Sequence, residues 1–85
     1  MANFTWNALK SERLKRIRGV SFEDILKFPV LKVGQHPNRA DQKLLLIERK
    51  GYVWAVPFIE SGDKIFLKTL YPSRKHTKLF RKGEL

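Results

Sequence analysis

Between positions 68 and 78 the chain places four cations (Lys68, Arg74, Lys75, Lys78), a phenol (Tyr71) and an imidazole (His76) within eleven residues. The same stretch contains Ser73 and Thr77. Cations, a phenol and an imidazole suit one reaction in particular, the cleavage of RNA by its own 2′-hydroxyl. A base takes the 2′-OH proton, an acid protonates the leaving 5′-oxygen, and cations stabilise the charge gathering on the pentacoordinate phosphorus. The other common catalytic sets are missing from the sequence. His36 and His76 are the only histidines, cysteine is absent, and no group of carboxylates has metal-ligand spacing. No glycine-rich phosphate loop is present, and Glu48 and Glu60 are isolated. The chemistry expected here requires no metal and no cofactor.

Local signals predict the elements that must position these groups. Asn7 reads as the N-cap of a helix over 8–18, and Gly19 as its stop. Leu9, Leu14 and Ile17 share an arc of about 140° on that helix, with Lys10 and Arg13 inside it. Ser21-Phe22-Glu23-Asp24 resembles a capping box opening a short second helix over 22–28, which Pro29 ends. Strands are predicted over 30–33, 44–49, 52–59 and 64–71. Lys50-Gly51 and Ser61-Gly62-Asp63 supply tight turns, and Gly34 to Asp41 forms a polar loop. Pro57, inside the third of these strands, signals a bulge or an edge. Phe4-Thr5-Trp6 is β-prone, and Ser73 caps a last helix over 74–82. The expected architecture is one α+β domain over 1–85, with two N-terminal helices and a C-terminal helix on one face of a small antiparallel sheet. Trp54, central in an apolar strand, is expected in the core. Trp6 and Tyr71, each beside a basic stretch, are the better candidates for stacking on bases.

Charge gives a second pointer. The 85 residues hold 18 Lys+Arg against 8 Asp+Glu, a net charge of +10. Such self-repulsion implies a polyanionic partner, while 42% hydrophobic and 12% aromatic content is too rich for a disordered basic tail. The excess sits at the two ends. Lys10, Arg13, Lys15, Arg16 and Arg18 against Glu12 make the first twenty residues +4; the seven cations from Lys64 to Lys82 against Glu84 make the last stretch +6; the middle is neutral. If the ends meet, they form one basic surface. A phosphate at the start of the last helix, held by free backbone N–H groups and Arg74, would account for the cations crowded into its first turn. A helix-turn-helix reading of 8–28 fails because Glu23 and Asp24 would lead the recognition helix into the DNA backbone. No apolar run approaches membrane-spanning length, neither end has a wide apolar face opposite its cations, and no signal-peptide core is seen. The expectation is a cytoplasmic protein with no membrane partner.

The order and spacing of Phe4-x-Trp6-Asn7-x-x-Lys10, Gly19-Val20-Ser21-Phe22-Glu23-Asp24, the strand meander and Ser73-Arg74-Lys75-x-Thr77 resemble the BrnT-type toxins of the RelE-like superfamily. Those bacterial proteins typically read F-x-W-D-x-x-K, K-H-G-V-S-F-E and I-S-A-R-x-A-T. The resemblance implies a RelE-like ribonuclease fold acting on free RNA or ribosome-bound mRNA. It also implies a cognate antitoxin that neutralises the toxin, with operator DNA met only through that complex. Carried over by position, Arg74 and Thr77 match the last motif, and Trp6 and Lys10 the first. Arg18 stands where the family has histidine, Tyr71-Pro72 where it has Ile-Ser, Thr69 where it has the strand-end arginine, and Phe80 where it has glutamate. With Arg18 in the histidine position, Lys68 or Lys10 becomes the substitute base. The expected catalytic set is thus Arg74, His76, Tyr71 and Lys68, with Lys75, Thr77, Lys78, Lys10, Arg18 and Trp6 binding RNA. The alternative is a non-catalytic basic nucleic-acid-binding module, including an inactive toxin relative acting in operon autoregulation.

Overall fold

The computed structural model describes residues 3–85; Met1 and Ala2, counted in the expected domain over 1–85, lie outside the described residues. The elements in chain order are β1 (Asn3–Thr5), α1 (Ala8–Arg18), α2 (Phe22–Ile25), β2 (Val30–Gln35), β3 (Lys43–Arg49), β4 (Tyr52–Ser61), β5 (Lys64–Leu67), β6 (Tyr71–Pro72) and α3 (Arg74–Arg81). The local signals act where the sequence places them. Asn7 accepts the Lys10 N–H at 3.0 Å and Gly19 closes α1 at φ +77°, a left-handed geometry that glycine adopts without a Cβ penalty. The Ser21–Asp24 capping box is complete, although α2 ends at Ile25, short of the expected Phe28. Lys50 and Gly51 turn between β3 and β4 with both φ angles positive, as a two-residue hairpin requires.

The sheet runs β1-β5-β4-β3-β2, with β6 also on β4. It is mixed rather than antiparallel, because β1 pairs in parallel with β5. Alternation along β3 and β4 divides the apolar residues between two faces. Leu45, Ile47, Trp54, Val56 and Phe58 form one core with Leu14, Val20, Phe22 and Ile25 beneath α1 and α2. Leu44, Leu46, Val53 and Ala55 form a second, packed against Tyr71, Phe80 and Leu85. The expectation of all helices on one face is therefore corrected: α1 and α2 cover one face and α3 the other. β4 is apolar at both parities, and each of its faces needs cover.

The helical stripe on α1 is also corrected. Leu14 is 3% exposed, but Leu9 is 76% and Ile17 61% exposed. The inward positions are Leu14 and Ser11. Ser11 donates to Glu23 and accepts the Phe22 N–H at 3.0 Å, so a hydroxyl takes the contact with α2 that the wheel assigned to aliphatics. Asp24 accepts from Lys15 Nζ at 2.7 Å and from the Ser21 N–H at 3.1 Å. These bonds, the lysine's first, lower its pKa from 3.8 to about 2. A carboxylate depressed on folding contributes stability that is present above the unfolded value and lost as pH falls through the folded one. Thermal melts between about pH 5 and pH 2 should therefore show the wild type losing stability more steeply than Asp24→Asn, chiefly below the ordinary aspartate value. Equal slopes would remove Asp24 from the acid response.

Trp54 is buried as expected. Trp6 is half-buried and lies against Phe22, ring centroids 5.9 Å apart, so its ring serves packing. Thr77 is 2% exposed. Its Oγ1 accepts the Val53 N–H at 2.8 Å and donates to the Ser73 carbonyl at 2.7 Å, while the Ser73 N–H donates to the Val53 carbonyl at 2.8 Å. Thr77 thus pins α3 to β4 and is not a surface group for RNA. Thr77→Val should cost about 1–3 kcal/mol, because it leaves the Val53 N–H buried without an acceptor; Thr77→Ser should retain most of that. Urea unfolding midpoints of the two variants check it.

Candidate nucleic-acid interface

The strand register decides which loops share an end of the sheet. Gln35 pairs with Lys43, Lys43 with Phe58, and Phe58 with Leu67. At this row β2 ends and β3 begins on one edge of β4, while β5, arriving from the opposite direction, ends on the other, so the β2–β3 loop (36–42) and the residues after Leu67 both leave their ladders near Phe58. The parallel pairing of β1 with β5 runs both strands toward that same row, which brings the start of α1 there as well. Pro57 completes the arrangement. Its carbonyl accepts the Lys68 N–H at 2.8 Å, so the side of β4 on which its N–H is missing faces the gap between β5 and β6. The chain from Lys68 to Leu70 leaves the ladder at that gap. The bulge or edge expected at Pro57 is corrected: β4 is a central strand whose register with β3 is continuous there, and the expected 64–71 strand is instead divided into β5 and β6 at the gap its missing N–H faces.

The result is a cleft of about 490 Å³ lined by Lys10, His36, Arg39, Asp41, Gln42, Pro57, Ile59, Lys68, Thr69 and Tyr71. Three cations face one carboxylate. Among the described residues the ion pairs are Lys15–Asp24 and Lys43–Glu60, and neither draws on the cleft. Lys68 Nζ lies 5.5 Å from the Phe66 ring centroid. Tyr71 is half-buried, its ring packed against the second core. His36 Nδ1 accepts the Asn38 N–H at 3.1 Å. In the neutral ring the proton is then on Nε2, which makes that nitrogen a donor. Cations, a phenol and an imidazole donor in one polar recess can hold a phosphodiester and exchange protons with it.

Of the residues expected from sequence, Lys10, Lys68 and Tyr71 meet in this cleft. The two basic ends therefore converge only in part, since the rest of α1 and the whole of α3 lie on opposite faces of the sheet. Arg18, Arg74, Lys75 and Lys78 are exposed on the helices and do not line the cleft. His76 belongs to a different recess, between α3 and β2, with Lys32 and Lys75. Its Nδ1 is 2.6 Å from Ser73 Oγ, and burial, then the charges of Lys75 and Lys32, lower its pKa. It does not share a site with Lys68 and Tyr71. Ser73 Oγ also accepts the His76 N–H at 3.2 Å, so the side chain of the cap already satisfies one of the α3 N–H groups reserved above for phosphate. His36, Arg39, Asp41 and Gln42 were missed by sequence reasoning. Their signal was a polar loop longer than a hairpin needs, carrying a histidine and an arginine.

A six-stranded mixed sheet clasped between an N-terminal helix pair and a C-terminal helix, with a basic cleft at one end, has the fold of a class of small toxins: the chain adopts a BrnT-type toxin fold. A solved structure with this likeness is that of the ribonuclease toxin BrnT of Brucella abortus. The two match with a TM-score of 0.58 and 20% sequence identity, over 86% of this chain and 97% of that one. No protein-family model and no curated protein matches the sequence. Among the described residues no helix is long and apolar enough to cross a membrane.

Proposed function

We propose that the chain, as one domain over 1–85, is the toxin of a toxin–antitoxin pair and cleaves RNA without a metal ion. The observation that carries this reading is the cleft joining Lys10, Arg39, Lys68, Tyr71 and His36 on a ribonuclease-toxin fold. Lys68, Lys10 and Arg39 hold the scissile phosphate and stabilise its added charge. The 2′-oxygen attacks phosphorus, the bond to the 5′-oxygen breaks, and the products are a 2′,3′-cyclic phosphate and a free 5′-hydroxyl. In its imidazolium form His36 gives its Nε2 proton to the leaving oxygen and returns to the neutral ring. Tyr71, once its own proton has passed to solvent, is the group placed to take the 2′-OH proton, while Lys68 stays charged. Arg74, Lys75, Lys78 and Arg18, exposed outside the cleft, engage flanking phosphates. A cognate antitoxin in the same cytoplasm holds the activity in check.

The test is incubation of the purified protein with end-labelled RNA, alone and with ribosomes and mRNA, for the wild type and Lys68→Ala. Cleavage by the wild type leaving cyclic phosphate ends, and its loss in the variant, is the expected result. Salt-sensitive binding without cleavage in either arm would instead make the protein a binding module using the same surface.

A further inference from the structure

β2 is the terminal strand of the sheet. Its inner side is paired with β3, and the His36 N–H continues that ladder to the Gln42 carbonyl. Backbone direction alternates along a strand, so Gly34 and Lys32 also turn inward, and Val33 and Gln35 turn their N–H and C=O groups outward. The edge is six residues long and carries Val30, Leu31 and Val33 exposed, Val33 at 53%. An edge of this length and composition is a template for another strand unless something protects it.

The surroundings of the edge differ on its two faces. On the α3 side a groove of about 230 Å³ runs between β2 and α3 over Leu44 and Leu46. Lys32 flanks it from the strand, Lys75 and His76 from the helix, and Glu84 and Leu85 also line it. Gly34 leaves the floor open, with nothing within 4 Å of where a Cβ would sit. Neither lysine takes part in an ion pair among the described residues. On the opposite side Val33, the register partner of Leu45, offers an aliphatic surface.

We propose that the β2 edge is a docking site for an extended acidic segment of a different polypeptide, which adds to the sheet as a further strand. Alternation dictates the sequence of that segment: carboxylates at every second position meet Lys32 and Lys75, and β-branched residues between them cover Val33. A second copy of this chain fits less well, because antiparallel β2 pairing would set Lys32 on the same face as its counterpart. RNA lacks the amide ladder that Val33 and Gln35 offer, and aliphatic side chains give its bases no aromatic platform. The proposal does not depend on the cleft's having ribonuclease activity.

The experiment uses the full chain and a fluorescein-labelled synthetic peptide of about ten residues alternating glutamate with valine, followed by anisotropy and by hydrogen exchange. The comparison peptide has lysine for glutamate. Val33→Pro removes an outward N–H and leaves the β2–β3 ladder intact, so it should fold and yet weaken binding by about tenfold. Lys32→Glu should weaken it by about fivefold. The acidic peptide should slow exchange of the Val33 and Gln35 amides, the lysine peptide should not bind, and Lys68→Ala, in the separate cleft, should bind the acidic peptide as wild type does. Circular dichroism and thermal melts confirm that each variant is folded. No binding of the acidic peptide, or equal binding by a folded Val33→Pro, overturns the proposal. A dimer in sedimentation that Val33→Pro abolishes would assign the edge to a second copy and overturn it. Loss of RNA binding in Val33→Pro would assign it to nucleic acid, with the same consequence.

Discussion

Lys68→Ala should lower the rate of RNA cleavage by about a hundredfold or more, the usual consequence of removing one charge that stabilises a transition state. The reason lies in where Lys68 sits. It leaves the β5 ladder at the gap opposite Pro57, its backbone tied to the Pro57 carbonyl, and lines the cleft with Lys10 and Arg39. No carboxylate is paired with any of the three among the described residues, so their charge is free for phosphate. The loss should appear in kcat more than in KM, since Lys10 and Arg39 still bind the ground-state phosphate and the extra charge develops only on the way to the phosphorane. Lys68→Arg keeps the charge and should recover part of the rate. Arg16→Ala, on the exposed side of α1, should leave the rate unchanged and controls for net charge. Single-turnover cleavage of one labelled RNA by the four proteins is the measurement. A Lys68→Ala rate equal to wild type would remove the cleft from catalysis.

Phe22→Ala should destabilise the protein by about 3–5 kcal/mol, the range for deleting a buried phenylalanine. Phe22 is fully buried, begins α2, lies against the tilted ring of Trp6 and packs in the larger of the two cores. Its N–H is also the donor to Ser11 Oγ, so the collapse of this site would disturb the α1–α2 contact. A chain of this length has roughly 4–13 kcal/mol in total, and the variant should be partly unfolded at room temperature. Leu9→Ala, also an apolar truncation but at a highly exposed residue, should change stability by no more than about 0.5 kcal/mol. Urea titrations of the two variants check both numbers. A Phe22→Ala midpoint close to that of Leu9→Ala would mean that the N-terminal helices contribute little to holding the fold.

The contrast between Phe22 and Leu9 also separates what is readable locally from what is not. The Ser21–Asp24 box, the Asn7 and Ser73 caps, the Gly19 stop and the Lys50-Gly51 turn are each complete within three or four residues. Their donors and acceptors are specified by the chain itself, and the structure forms them. The stripe on α1 depends on a partner: Leu9 and Ile17 share an arc with Leu14, yet Ser11 is buried in their place because α2 presents Glu23 and the Phe22 N–H to that side.

The site follows the same division. By itself the sequence determined the chemical groups on offer: its cations, phenol and imidazoles, the concentration of charge at its two ends, and an order of motifs that resembles a BrnT-type toxin. Only the tertiary structure decided which of these groups work together. Lys10 and Lys68 meet because β1 pairs in parallel with β5, a contact across some sixty positions. His36 and Arg39 join them because the β2–β3 loop and the C-terminal end of β5 meet at one row of the sheet, through Phe58 of β4. His76 and Thr77, close to Tyr71 in sequence, are taken elsewhere, since α3 crosses to the opposite face and Thr77 is used to anchor it. Hydrogen bonds within a turn can be read from neighbouring residues, whereas the face a helix covers and the end at which loops converge are set by pairing between distant strands.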